Sequence, residues 1–357
     1  MPSVDFRYMR RALALARRGW AQTAPNPMVG AVIVRDGAIV GEGFHARYGG
    51  EHAEPVALAA AGERARGATM YVTLEPCAHH GKRPPCAPAV AAAGIARVVI
   101  ATADPNPVAT GGAELLRASG VAVEVGVAGD EARELNAPFL HRFACDRPWV
   151  TLKLATSIDG AITDAARSAG WLTGAESRRE VHRQRAGSDA IAVGIGTVLA
   201  DDPLLTVRGV RKPRIAPIRV VFDRSARLPL ESRIVRSVSS APIIAITNGS
   251  ASQREQALER AGATVLTVTG TTDALRALKD RGVDSLYVEG GAALAGALLE
   301  ANAVDRLIIF RSPLVLGAGS LGAFDHAPSF ALASVPRYRI VQQRRFGEDD
   351  MTIYALR

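Results

Sequence analysis

Apolar residues recur at helical spacing from the start of the chain. Phe6, Met9, Leu13 and Ala16 share one face of residues 5–18, and Gly19 stops the helix. The period then shortens: Ala31–Val34 is an apolar strand, Asp36-Gly37 is a hairpin signal, and Ile39–Val40 returns antiparallel. Gly41, Gly43, Gly49 and Gly50 make the stretch around His45 read as a flexible loop. Residues 53–61 are alanine-rich and predict a helix, in whose first turn Pro55 is tolerated. Strands at Met70–Leu74 and Arg97–Ala101 and a helix from Cys86 to Gly94 continue an α/β alternation. A turn at Asp104–Pro107, a helix at 111–119, a strand at 121–125 and a helix near 130–143 complete it. Cys145-Asp146-Arg147-Pro148 reads as a boundary, giving domains 1–146 and 147–357.

A second α/β alternation follows. It predicts strand Val150–Ala155, a turn at Ile158–Gly160, helix 176–186, strand Ala190–Val193 and a loop at 199–208. Strands at 218–222 and 242–246 and two helix–strand pairs lead to Ser285–Val288; Val304–Phe310 and Thr352–Ala355 are the last strands. Ser285–Val288 runs into E-G-G-A-A-L-A-G at 289–296. A strand that ends in paired glycines and feeds a helix is either a phosphate cradle or a tight turn, and the residues alone favour neither. Gly194-x-Gly196 has Leu199 where a dinucleotide fingerprint needs its third glycine, so the Rossmann pattern is absent.

The strongest chemical signal lies between His52 and Cys86: H-A-E-P at 52–55, then E-P-C-A-H-H-G-K-R-P-P-C at 75–86. Zinc takes imidazole and thiolate ligands, and a catalytic site keeps one of its four positions for water. His52, Cys77 and Cys86 supply three ligands, and Glu54 stands close enough to shuttle protons without ligating. That is the arrangement of zinc nucleobase deaminases, except that the cysteines are nine apart where C-x-x-C is usual. A buried cysteine pair and a core histidine are common singly; in this combination the metal explains more. The insert from His79 to Pro85 is basic and rigid, and reads as a loop leaning over a substrate.

Composition narrows the classes. A chain of 357 residues can build two sizeable cores, and 48% hydrophobic against 22% charged residues describes a folded protein. No apolar run approaches the ~18 residues of a membrane span. Arg10, Arg11, Arg17 and Arg18 flank only a short Ala-Leu run, so a secretory core is not expected. Because the helix runs straight into P-N-P-M-V-G at 25–30, it reads as folded protein and not as a presequence. With two of three cysteines on a metal, Cys145 stays unpaired, which fits a reducing cytoplasm. A net charge of +8 admits nucleic-acid binding, or arginines that meet phosphorylated small molecules. Aromatics are 5% and do not interleave with the basic residues, which weighs against a base-stacking platform and favours the second.

The motifs in order resemble the bifunctional riboflavin-biosynthesis deaminase–reductases over essentially the whole chain. The first half carries P-N-P-M-V-G, G-E-G-F-H, H-A-E and T-L-E-P-C-A-H-H-G-K-R-P-P-C, whose long Cys–Cys spacing is peculiar to that family. The second half carries T-L-K-L-A-T-S-I-D-G, T-V-L-A-D-D-P-L-L-T-V-R and V-E-G-G-A-A-L-A-G-A-L-L. The resemblance implies a cytidine-deaminase-like three-layer α/β/α domain, then a dihydrofolate-reductase-like α/β domain that uses NADPH. It implies deamination of a phosphoribosylamino-pyrimidine, then reduction of the ribosyl group to ribityl, by a cytoplasmic homo-oligomer without membrane or nucleic-acid partners. It places Asn26, His45 and Lys82 on the deaminase substrate. NADPH is expected against Ala155, Trp171, Thr197, Asp201, Gly291 and Gly296, and the reductase substrate against Lys153, Arg185, Leu205, Arg208 and Glu289. Lys153, Asp201 and Glu289 are candidates for the proton that accompanies the hydride. Two positions depart from the family pattern: Arg83, often Thr, and Ala169, commonly Ser.

Two rivals remain at this stage. A nucleotide- or RNA-directed deaminase with a regulatory C-terminal domain keeps the zinc but leaves the later motifs unexplained. A non-catalytic zinc-stabilised binding protein needs a fourth protein ligand, His79 or His80.

Overall fold

The computed structural model describes residues 3–81, 83–168, 170–333 and 335–356. Lys82 and Ala169 lie outside the described residues. The chain divides into two units, Met1–Cys145 and Asp146–Arg357.

The first unit begins with α1 (Val4–Ala16), capped by the Ser3 side chain, followed by β1 (Gly30–Arg35), β2 (Ala38–Phe44) and α2 (Ala53–Ala61). Next come β3 (Thr69–Val72), α3 (Cys86–Ala92), β4 (Arg97–Ile100), α4 (Gly112–Ala118) and β5 (Ala122–Val125). Two helices, α5 (Gly129–Leu135) and α6 (Ala137–Ala144), stand where one was expected; Asn136, with Pro138 beyond it, separates them. Among the described residues the sheet order is β2-β1-β3-β4-β5, with β1 antiparallel to both neighbours and β3, β4 and β5 parallel. The buried strand residues alternate between faces. Ile33, Met70, Val98 and Ile100 pack with α2, α3 and α4, while Val32, Tyr71 and Val99 pack with α1 and α5. The result is three layers, α/β/α.

Gly41 and Gly43 do not belong to a flexible loop. They lie in β2, and a Cβ on either would collide with the α2 backbone at Ala57 or Ala53. The alanine-rich helix and the two glycines are halves of one close contact, and it seats the start of α2 beside the sheet.

The second unit opens with β6 (Trp149–Thr156), β7 (Ala161–Thr163), α7 (Ala175–Ala186), β8 (Ala190–Gly194) and α8 (Ile195–Asp201). The helix α8 occupies the first part of the expected loop at 199–208. Then follow β9 (Ile218–Phe222), α9 (Arg233–Arg236), β10 (Ile243–Thr247), α10 (Ser252–Arg260), β11 (Thr264–Thr267) and α11 (Thr271–Lys279). The unit closes with β12 (Ser285–Glu289), α12 (Ala292–Glu300), β13 (Arg306–Arg311), β14 (Leu321–Gly322), β15 (Tyr338–Phe346) and β16 (Asp349–Leu356). Nine of the described strands form one sheet, β11-β10-β9-β8-β12-β6-β13-β16-β15, parallel from β11 to β13 and antiparallel at the β16-β15 end. The alternation missed β15 because its polar, arginine-rich residues show no apolar period: it is an edge strand, exposed along much of its length. Leu286 and Val288 of β12 pack against α11 and α12, whereas Tyr287 packs on the opposite face with Val181 of α7. Lys153 and Glu289 are register partners on adjacent strands, so both project from that α7 side. No helix among the described residues is long and apolar enough to cross a membrane.

Candidate active sites

In the first unit, His52 is the N-cap of α2, Glu54 lies in its first turn, and Cys86 is the first residue of α3. The chain leaves β3, passes Cys77, makes an excursion through 78–85 and comes back onto it. Ala87 N–H donates to Cys77 O at 3.1 Å and Cys86 N–H to Cys77 Sγ at 3.4 Å. The nine-residue spacing thus closes on itself. His52 Nδ1 lies 3.2 Å from Cys86 Sγ and 3.7 Å from Cys77 Sγ, and the three ligand atoms all lie within 4.8 Å of one another. With zinc–sulfur bonds of about 2.3 Å and zinc–nitrogen bonds of about 2.0–2.1 Å, donors so spaced fit one tetrahedral ion. Among the described residues no fourth His, Cys, Asp or Glu joins the set at that spacing. His79 and His80 stand outside it, which removes the support for a closed structural site.

Glu54 is buried, and burial lifts its carboxyl to about 7. The two sulfurs titrate as a pair. Hydrogen bonding from Cys86 holds the Cys77 thiol down to about 4, and the same bond together with burial pushes Cys86 up, so the pair keeps one proton. His52 is raised, chiefly by its contact with Cys77.

Of these groups, His52, Glu54 and Cys77 line a cavity of about 230 Å³. His45 Nδ1 faces Glu51 O at 2.8 Å and therefore carries the ring proton; Nε2 is then the acceptor, and Asn26 Nδ2 donates to it at 3.3 Å. Burial keeps the ring neutral by lowering its pKa, and the ring meets His52 edge-on at 5.5 Å. Asn26 and His45 are thus brought together on the cavity wall beside the ligand set. The cavity wall also contains residues that sequence reasoning read only as a turn. Asp104 and Asn106, from D-P-N-P at 104–107, line the cavity, and burial lifts Asp104 to about 6. Buried Glu75 holds that loop by accepting from the N–H groups of Asp104, Gly111 and Ala113. His79 also lines the cavity, its Nδ1 buried without a partner among the described residues, ready for a ligand atom. Arg83 pairs with Glu51 at 2.6 Å and donates to Gly49 O, so the charge that departs from the family pattern is neutralised at the mouth.

In the second unit the candidates gather at the carboxyl ends of β8, β12 and β6, three neighbours in the sheet. Glu289 ends β12 and forms a buried fork with Arg185 of α7, one arm of which is 2.9 Å long; Arg185 Nη1 also donates to Thr206 O at 2.9 Å. Burial pushes the Glu289 carboxyl up, but Arg185 and then Lys153 outweigh it and leave its pKa lowered. Lys153 is itself lowered by burial, with Glu289 opposing. Arg208 is exposed, and Leu205 is buried in the core between the sheet and α9. Arg185 is therefore committed to Glu289 and Thr206, while Arg208 faces solvent.

The glycines at these strand ends test the fit of a cofactor. Gly194 and Gly291 are the N-caps of α8 and α12; a Cβ on Gly196 would meet open space, and one on Gly291 only the Thr197 hydroxyl at 3.9 Å. Bare backbone at two neighbouring helix starts, with Thr197 between them, suits a dinucleotide's polar groups. Ala155 lies near the end of β6 and Asp201 ends α8. Trp171 is not core: it is 74% exposed and stacked under Arg178, a face on which a planar ring can lie. Gly296 is the exception. It sits inside α12 and not in the turn, and its missing Cβ makes room for the His326–Ala327 backbone.

The fold and sites define a two-domain enzyme, a zinc-type pyrimidine deaminase joined to a reductase. Residues 2–102 match the cytidine and deoxycytidylate deaminase zinc-binding region, and residues 148–351 match the RibD C-terminal domain. The riboflavin biosynthesis protein RibD of Aquifex aeolicus is 42% identical over 319 residues, 88% of this chain and 89% of that one. The RibD of Escherichia coli is 41% identical over 362 residues, 97% of each. Among solved structures, Acinetobacter baumannii RibD superposes with a TM-score of 0.86 at 37% identity over 99% of both chains. A Thermotoga maritima diaminohydroxyphosphoribosylaminopyrimidine deaminase/5-amino-6-(5-phosphoribosylamino)uracil reductase does so with 0.85 at 34%, again over 99% of both. The chain belongs to the RibD family, the bifunctional deaminase–reductases of riboflavin biosynthesis. Its deaminase domain fits zinc and its reductase domain fits NADPH. The reductase match excludes a merely regulatory C-terminal half.

Proposed function

We propose that residues 1–146 hydrolyse the exocyclic amine of 2,5-diamino-6-(phosphoribosylamino)pyrimidin-4-one, and that residues 147–357 reduce the ribosyl group of the product to ribityl. The observation that carries the reading is the convergence of His52, Cys77 and Cys86 on one ligand set, with buried Glu54 on the cavity that His52 and Cys77 also line. His52, Cys77 and Cys86 hold zinc, which when bound acidifies a water towards neutral pH. Glu54, whose carboxyl is lifted to about 7, takes one proton from the attacking water and gives it to the ring nitrogen, then takes the second from the added hydroxyl and gives it to the amine, which leaves as ammonia. Asn26 and His45 orient the pyrimidine, Lys82 holds the phosphorylated arm, and Asp104 and Asn106 offer further polar contacts.

In the reductase, Ala155, Trp171, Thr197, Asp201 and Gly291 hold or border NADPH, which when bound supplies the hydride. Of the three candidates for the accompanying proton, Lys153 is best placed. Glu289 is tied to Arg185 with its carboxyl lowered, and Asp201 is exposed at the end of α8. Burial makes the Lys153 ammonium a readier donor, and the charge of Glu289 on the neighbouring strand favours its protonated form. Arg208 meets the substrate phosphate, and Leu205 and the Arg185–Glu289 pair form the floor of the site. The thiol ligands and the exposed, unpaired Cys145 fit a reducing cytoplasm. The long edge strand β15 offers a surface for a second copy, and we assign a homo-oligomer. The test is incubation with the diaminopyrimidine phosphate, with and without NADPH, followed by mass analysis. Without NADPH the substrate should exchange NH for O and stop there; with it the product should also gain two hydrogens. Reduction with no prior exchange of NH for O would refute the order, and no exchange at all would refute the deaminase.

A further inference from the structure

The loop that carries Leu205 and Arg208 has no regular secondary structure between α8 and β9, yet it is held at several places. It has to be, because Asp202 and Leu205 sit at φ 39° and 50°, in the left-handed region that residues with a side chain rarely adopt. Such conformations persist only where the surroundings over-determine them. Asp202 Oδ1 accepts from Arg233 N–H at 2.8 Å. Arg219, fully buried on β9, donates from Nη1 to Leu204 O at 3.3 Å, while its two Nη atoms also donate to Ser237 and Ala241. Arg185 donates to Thr206 O. A further hold is His182 of α7, whose Nδ1 accepts the Arg208 peptide N–H at 3.2 Å.

That last bond has a chemical consequence. A peptide N–H can only donate, so His182 Nδ1 must be bare and the ring neutral, with its proton on Nε2. Burial first, then the charges of Arg185 and Arg208, lower its pKa to about 4 against the opposing pull of Glu289 and of the Thr206 backbone, so the acceptor persists through the neutral range. Arg208 Nη1 meanwhile donates to Thr206 Oγ1 at 2.6 Å. Peptide and guanidinium of one exposed arginine are thus fixed separately, by His182 and by Thr206.

We propose that His182 is a positioning residue of the reductase site, holding the Arg208 peptide so that the guanidinium is presented, already oriented, to the substrate phosphate. The proposal rests on reading Arg208 as the phosphate contact. Its test is steady-state kinetics of the full-length protein with the deaminated pyrimidine phosphate and NADPH, for His182→Phe, His182→Asn, His182→Gln, Arg208→Ala and the double variant His182→Phe/Arg208→Ala. Loss of one hydrogen bond in His182→Phe should raise KM roughly three- to tenfold with kcat and NADPH affinity unchanged. Asn, whose amide oxygen can take the place of Nδ1, should restore most of the loss. Gln, which reaches the position of Nε2 instead, should behave like Phe and serves if the Phe variant does not fold. The double variant should be no worse than Arg208→Ala alone, because both act through one cation. Raised KM in Arg208→Ala with wild-type KM in His182→Phe and His182→Gln would overturn the role of His182 alone. Wild-type KM in Arg208→Ala would overturn the phosphate reading and the proposal with it. Equal losses of kcat and NADPH affinity in the His182 variants would mark His182 as general scaffolding and overturn the proposal too.

Discussion

At the scale of single residues, the deaminase site is a problem of protons. Cys77 and Cys86 share one proton, and His52 is raised by its thiol neighbour, so part of the ligand set is protonated near neutral pH. Zinc must displace those protons. Affinity therefore falls as pH falls, by about tenfold per pH unit for each proton released. Titrating metal-free protein with zinc in weakly buffered solution should release at least one proton per ion at about pH 7, and more at lower pH as His52 becomes charged. An affinity indifferent to pH would mean that the sulfurs are not the ligands. Cys86→Ser tests the same set. It should lose zinc and deamination yet still reduce the deaminated intermediate, and full zinc occupancy would reassign the third ligand to His79 or His80. His52, Cys77, Cys86 and Glu54 were legible in the sequence because their chemistry is rare and their order fixed. Asp104, Asn106 and His182 were not, because a turn aspartate or a helix histidine takes on a role only when the fold turns it towards a partner.

At the scale of elements, the precision of the site depends on how closely α2 lies on β2. A Cβ on Gly43 would stand within van der Waals contact of Ala53 and Ala57 backbone atoms, so a side chain there must push away the helix that starts with His52. Gly43→Val should cost about 1–3 kcal/mol or more by overpacking and reduce zinc occupancy, while leaving reduction of the deaminated intermediate intact. Thermal unfolding and metal analysis on the same preparation check this. Wild-type stability and zinc content would show that the helix has room to retreat. The hydrophobic alternation revealed most strands, since buried parallel strands are continuous apolar runs. It misread these glycines as a loop for a physical reason: a glycine's absence of a side chain has the same appearance whether it makes a loop flexible or lets a helix press close.

At the scale of the whole molecule, two units with separate cores carry two chemistries, and each candidate site is built from residues of its own unit. We therefore expect residues 147–357 expressed alone to fold and to reduce the deaminated substrate without zinc. A folded fragment that binds no NADPH would contradict the division of labour. The claim on which the rest depends is that Glu54 moves protons and does not hold the metal. The direct measurement is full-length Glu54→Gln, assayed for metal and for products with NADPH present. The account predicts about one zinc per chain, deamination lowered by roughly two to four orders of magnitude, and a ribityl product at the wild-type rate once the deaminated intermediate is supplied. Loss of zinc, or deamination at the wild-type rate, would contradict it.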